Sequence, residues 1–449
     1  MTLESKPLFG KLISRSAMGV ALAFGVVAGG MVVAEPAMAQ KKSKESKGGQ
    51  IKLSPDFQKV AAPFQQSVEA AKARSDVAGA KGNPAALGTA LTAEKAQLEQ
   101  VFAAASTPED KYMAGSLAVG LGSLAEDANI QRRGLSSMIE SGAAPAADLP
   151  RLQFFNGQLA YVAKDYAAAR TALQAAVTGG FRDNDAEVLL AEAYIGDNQV
   201  PQGLTLLKQA IDQRSASGTP APESWYRRGL GAAYNAKLPD KAAEFSAGLV
   251  KAYPSTQNWA GAIAVVRELG KYQSQETLDL MRLMGRTNSY SEERDYIEHI
   301  EAADPRRLPG ESMKVIEAGL AAGKLKSGDP FITEGRATAS GRVAADRASL
   351  PALERDARLA SATGATVQGA ADAFLSYGEP AKAEELYVIA MGKPGVDTAR
   401  IQTRMGIAQA DQGKYAAAQQ TLAKVTGPRK PIAMLWEIYA SQKAGTPAS

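Results

Sequence analysis

Residues 151–178 read RLQFFNGQLAYVAKDYAAARTALQAAVT, and residues 185–212 read DAEVLLAEAYIGDNQVPQGLTLLKQAID. Laid over one another at an offset of 34 residues, they place small and apolar residues in register. Gly157, Ala160, Ala169, Leu173 and Ala176 of the first fall on Ala191, Tyr194, Gly203, Leu207 and Ala210 of the second. Small residues stand where two helices must touch, and larger apolar residues fill the space between. A repeat of this length built from two antiparallel helices marks one class of helical array.

On these residues the segment resembles the tetratricopeptide repeat family, whose small eighth and twentieth positions let helices A and B pack closely. The resemblance implies an all-α fold, a right-handed superhelical solenoid of antiparallel helix pairs. A third repeat opens with Glu223, Ser224 and Trp225 after a Ser/Gly/Pro insertion at 215–222, and continues through Leu230, Gly231, Tyr234 and Ala243. The pattern returns at Ala371, Phe374, Gly378, Ala383, Tyr387 and Ala390. It recurs 35 residues later at Gly406, Gln409, Gly413, Ala418, Leu422 and Val425.

Composition agrees. Alanine carries much of the 45% hydrophobic share, aromatics are only 6%, and β-branched runs are short. Alanine is the best helix former and packs closely at no side-chain entropy cost. A chain of 449 residues exceeds one compact core, so a solenoid or several domains is expected.

The ends of the chain carry other signals. Residues 1–39 read as a secretory signal peptide. Lys6, Lys11 and Arg15 precede an apolar stretch from Met18 to Ala34, and Ala37-Met38-Ala39 supplies an A-x-A cleavage box. Cleavage there predicts a periplasmic protein, whereas an uncleaved segment would leave it membrane-anchored; secretion beyond the envelope is the further alternative. Residues 40–54 form a basic linker with Lys41, Lys42, Lys44 and Lys47, expected to be disordered.

The rest divides by pattern into degenerate repeats over 55–149, clear repeats over 150–256, degenerate helical repeats over 257–363, and repeats with a capping helix over 364–449. Ser54-Pro55 and Thr107-Pro108-Glu109-Asp110 are helix starts. One long helix is expected over about 84–105. Two helices broken at Pro351 are expected in 328–362. The apolar helix after Pro431, with Met434, Leu435, Trp436 and Tyr439, is expected to cap the last open face.

Chemistry is sparse. The chain has no cysteine, which excludes disulfides and thiolate sites. It has one histidine, His299, with Glu298, Glu301 and Asp304 nearby, read as a surface or interhelical polar group. Asp110, Glu126 and Asp127 read as solvated helix acids. No phosphate-binding G-x-x-x-x-G-K loop or G-x-S-x-G elbow is present. Gly229, Gly231 and Tyr234 sit within a helix pattern with no strand before them. No cofactor is expected. A net charge of +4 gives no strong pull toward nucleic acid.

The family resemblance implies a concave groove lined by helix A. Carried over, Arg151, Phe154, Gln158 and Tyr161 of the first good repeat point inward, then Asp185, Val188, Glu192 and Ile195, then Trp225, Arg228, Ala232 and Asn235. Such a groove suits an extended peptide or a helix. The Lys and Asn set that holds a C-terminal carboxylate in some family members is absent from these positions. The expected function is a non-catalytic protein-binding scaffold of the bacterial cell envelope. A periplasmic cell-wall hydrolase, or its accessory subunit, is the alternative, and self-association of the chain is a third reading.

Overall fold

The first helix of one pair after another ends on the same backbone device. In the computed structural model, which describes residues 52–445, the chain crosses from helix to helix through a residue in the left-handed region. These residues are Glu126, Lys164, Asn198, Lys237, Asn288, Gly378 and Gly413. The next amide reaches back to the carbonyl five residues earlier: Asp165 to Ala160, Gln199 to Tyr194, Leu238 to Ala233 and Glu379 to Phe374, each at 2.9 Å. This is the Schellman closure, which satisfies carbonyls that a helix end leaves orphaned.

Three of these pairs share a packing device sixteen residues long. Gly157 lies against Leu173, Gly229 against Phe245, and Gly406 against Leu422. A Cβ built on any of the three would come within 2.7 Å of that partner's side chain. The pair Pro108–Leu124 and Ala128–Glu140 goes further. There a Cβ on Gly115 would stand 2.5 Å from the Gly134 carbonyl oxygen, and a Cβ on Gly134 would stand 2.5 Å from the oxygen of Gly115. The two backbones touch, so a pair read as degenerate contains a close crossing of its own.

The described residues form 22 α-helices and two short 3₁₀ turns, with no strand among them. They make an all-α, tetratricopeptide-like solenoid of antiparallel helix pairs. No described helix is long and apolar enough to cross a membrane. The expected signal peptide, and all of the basic linker before residue 52, lie outside the described residues.

Two units divide the chain, the first ending at Ala210 and the second beginning at Ile211, inside the expected 150–256 block. In the first unit, helix Pro55–Lys72 starts at Ser54, whose hydroxyl caps Phe57. Phe57 and Phe64 are buried with Leu87, Leu98 and Val101. The segment expected as one helix over 84–105 is two, Pro84–Ala90 and Thr92–Ala104. Leu91 between them leaves the helical region at φ −104°, ψ 19°, and its side chain is fully buried. Gly88, Thr89 and Thr92 are all weak helix formers, so the break costs little there.

Thr107 and Asp110 make a capping box at the start of Pro108–Leu124. Asp110 is not solvated as expected: it is fully buried and accepts from Ser54, Ser106 and Thr107. Burial favours its neutral form, but these hydrogen bonds outweigh burial and lower the carboxyl to about 2.

The second unit holds one helix of unusual length, Pro330–Ala357, with 28 residues. It passes through Pro351, where a break was expected. Proline removes one helix hydrogen bond and crowds the preceding turn, a cost of about 3 kcal/mol in a helix interior. Burial of Leu350 and Ala357 on either side anchors the segment. The hydroxyl of Tyr377 also donates to Asp346 at 2.7 Å, one turn earlier.

The last helix, Lys430–Ala444, does more than cap an end. It packs on Pro239–Ala252, Thr256–Gly270 and Ser274–Arg286, as well as on its sequence neighbours. Trp436 is fully buried and its indole N–H donates to the Asp279 carbonyl at 2.9 Å. The Gln442 amide donates to the Val250 carbonyl at 2.7 Å. The second unit is therefore closed by contacts between its early and late helices.

Candidate functional site

The closure of the second unit is made around buried charge. Asp279 is fully buried on helix Ser274–Arg286. It accepts from Arg404 at 3.0 Å and Arg429 at 2.6 Å, and from Arg282 one turn on at 3.4 Å. Arg404 also bonds Asp372 at 2.6 Å and the Gln275 side-chain oxygen at 3.0 Å. Asp372 takes further bonds from Arg400 at 2.8 Å and the Tyr387 hydroxyl at 2.7 Å. Burial alone would raise Asp372, but Arg404 and Arg400 outweigh it and hold the carboxyl low.

The network continues to the one histidine. Arg282 grips Glu311 through two parallel bonds of 2.8 and 2.6 Å, the strongest geometry for this pair of groups. Burial opposes the Glu311 carboxylate, yet Arg282 and His299 together hold it well below the usual carboxylate range. His299 Nε2 lies 3.1 Å from a Glu311 oxygen, and Nδ1 lies 2.6 Å from the Tyr290 hydroxyl. An ionised Glu311 can only accept, so Nε2 donates to it, and the ring bridges Glu311 and the Tyr290 hydroxyl.

His299 is thus a buried interhelical group. It joins Glu293–Ala303 to Pro309–Ala321 and to the turn at Tyr290. No group of three or more metal-ligating side chains occurs among the described residues.

Beside this network opens a cavity of 360 Å³. Tyr296, Val315, Ala318, Leu375 and Ile407 give it an apolar side. Its polar side carries the Arg282–Glu311 pair and an Arg286–Asp411 pair bonded at 2.7 and 2.8 Å. Lys314 and Asn288 stand exposed at the same opening, and neither side chain makes a hydrogen bond or ion pair with the described residues. Nothing local in the sequence marked this site. Its lining comes from segments between 282 and 411 that share no motif.

The residues expected to line a groove divide between the units. In the first, Arg151, Gln158 and Tyr161 are half-buried on helix Leu149–Val162. The Tyr161 hydroxyl meets Glu192 at 3.3 Å, which ties together the first helices of two successive pairs.

Phe154 is fully buried, stacked on Phe181 with ring centroids 4.7 Å apart and meeting Phe155 edge-on. The stack seats it between the helices of its own pair and the chain that follows, so it offers no surface to a partner. Glu192 is only 3% exposed. In the second unit Trp225 is 8% exposed with Arg214 over its ring, Arg228 is half-buried, and Asn235 is exposed.

No protein-family model matches the chain, and no curated protein matches it. Among solved structures, a similar one is that of Naa15/Naa10 bound to HypK-THB, at 13% identity and a TM-score of 0.24. That alignment covers 84% of this chain and 69% of the other. Another is the APC/C hetero-tetramer Cut9-Hcn1, at 10% identity and a TM-score of 0.18, covering 84% of this chain and 89% of the other. Both likenesses are too loose to bear on function, and the fold rests on the helix pairs described above.

Proposed function

We propose that this chain is a non-catalytic protein-binding scaffold of a bacterial cell envelope, which holds a peptide or partner protein on the first helices of its repeats. The observation that carries the reading is the partly exposed row of Arg151, Gln158 and Tyr161. Spacings of seven and three residues put them along one side of a helix. The Tyr161–Glu192 bond continues that side onto the next pair. A cation, an amide and an aromatic ring on a rigid face suit an extended peptide, and a few such anchors dominate affinity. Phe154 and Glu192, both buried, belong to the packing behind that face. The export signal read in residues 1–39 supports the envelope as the place of work.

The test is a cross-linking pull-down from envelope fractions, using wild type and an Arg151→Glu, Gln158→Ala, Tyr161→Ala variant of unchanged helicity. Recovery of one protein by wild type, and its loss from the variant, is the expected result. Identical recovery by both would remove this face from the account. Sequencing the N-terminus of the mature protein should find Gln40 first, and an intact Met1 would argue against export by cleavage.

A further inference from the structure

We infer that the cavity bounded by Lys314, Asn288 and the Arg286–Asp411 pair binds a small organic mono-anion, a carboxylate on a short apolar body. The charge of the lining sets the sign. Three cations, Arg282, Arg286 and Lys314, stand against two carboxylates, Glu311 and Asp411. Both carboxylates are taken up in two-bond arginine pairs. One positive charge is left over, and it is that of Lys314.

Two further donors face the same opening. The Asn288 amide is uncommitted among the described residues, and the Arg286 guanidinium uses only Nε and Nη2 on Asp411. A carboxylate seated there gains the Lys314 ammonium and these donors at once. A doubly charged phosphate would leave excess negative charge beside Glu311 and Asp411.

The opposite wall sets the body of the ligand. Tyr296, Val315, Leu375 and Ile407 offer apolar surface with no spare donor except the ring hydroxyl. A volume of 360 Å³ lies at the small end of ligand sites, which span about 300–1,000 Å³. The walls come from helices Ser274–Arg286, Glu293–Ala303, Pro309–Ala321, Gly364–Ser376 and Thr398–Asp411. The buried network holds these helices together, so the cavity is formed before a ligand arrives. Such preorganisation lowers the cost of binding.

The test is calorimetric titration of the full chain with hexanoate, with hexylamine and inorganic phosphate run in parallel. Saturable binding of hexanoate and none of hexylamine or phosphate is expected. Lys314→Met should weaken hexanoate at least tenfold, and Lys314→Arg should restore most of it. Ala318→Trp, which fills the cavity from an exposed position, should abolish binding with the fold intact. Acetyl-leucine, which carries its carboxylate on a peptide backbone, separates the sources. Tighter binding than hexanoate assigns a chain terminus, and weaker binding assigns a free small acid. Absence of saturable hexanoate binding, or binding that Lys314→Met and Ala318→Trp leave unchanged, would overturn the assignment.

Discussion

The pairs over 149–196 and the helices over 274–444 solve the same problem differently. In the first region side-chain bonds run between neighbouring pairs, as Tyr161 to Glu192, Arg170 to Asp197 and Arg132 to Asp165 do. Its core is apolar and local, with Phe154, Leu173, Leu189 and Leu190 at its centre. In the second region Asp279 meets Arg404, Arg429 and the Trp436 indole across 125, 150 and 157 residues of sequence. The first is an array in which stability is a sum over neighbours. The second is closed, so its early and late helices must form together. An open array leaves helix faces available to a partner, whereas a closed one keeps its inner polar groups for itself and encloses a cavity.

Asp279→Ala should separate the two behaviours most sharply. It leaves Arg404 and Arg429 buried without their shared carboxylate, at a cost of about 3–5 kcal/mol. All three tryptophans, Trp225, Trp259 and Trp436, lie in the second unit, so tryptophan fluorescence in denaturant reads this loss directly. Asp165→Ala in the first unit removes a helix cap and a half-exposed bond to Arg132, and should cost only about 1 kcal/mol. Equal losses would erase the distinction.

Gly115→Ala probes the tightest neighbour contact. The new methyl group would press on the Gly134 carbonyl, and overpacking of this kind costs about 1–3 kcal/mol. Thermal unfolding followed by circular dichroism should show the loss, and an unchanged midpoint would mean the helices slide apart freely.

Acid should act on the first unit through Asp110. Its folded carboxyl lies at about 2, below the ordinary value of 3.8, so the folded state binds fewer protons than the unfolded state. Its contribution is full above pH 4 and is lost as pH falls toward 2, worth about 2 kcal/mol. The stability gap between wild type and Asp110→Asn should close over that window. A gap constant from pH 6 to 2 would show that the carboxylate is not the stabilising form.

The smallest effect expected is a gain. Lys164 holds φ 61° at a helix end, a conformation that glycine adopts without cost. Lys164→Gly should therefore raise stability by about 0.5–1 kcal/mol, measured by the same melts.

What the sequence could reveal follows this same division. Gly157 and Leu173 are close in the chain and repeat at a fixed period, so the helix pairs were readable. So was the cap of Thr107 and Asp110, because its partners lie within one turn. The burial of Asp110 was not, since Ser54, its other partner, is 56 residues away. Asp279 looks like any acid on a helix, and no local pattern joins it to 372, 404 and 429. The family resemblance set Phe154 in the groove of helix 149–162, and nothing local told that Phe181 returns to cover it. The helix after Pro431 was readable as a cap, yet its closing role depends on residues as far back as Val250, 192 positions before Gln442.

Hydrogen exchange of the full chain, wild type against Asp279→Ala, is the most direct test of a closed second unit beside an open array. Protection should fall together in 274–286 and 398–444 while 149–196 keeps its wild-type rates. Loss confined to 274–286, with 398–444 unchanged, would contradict the account.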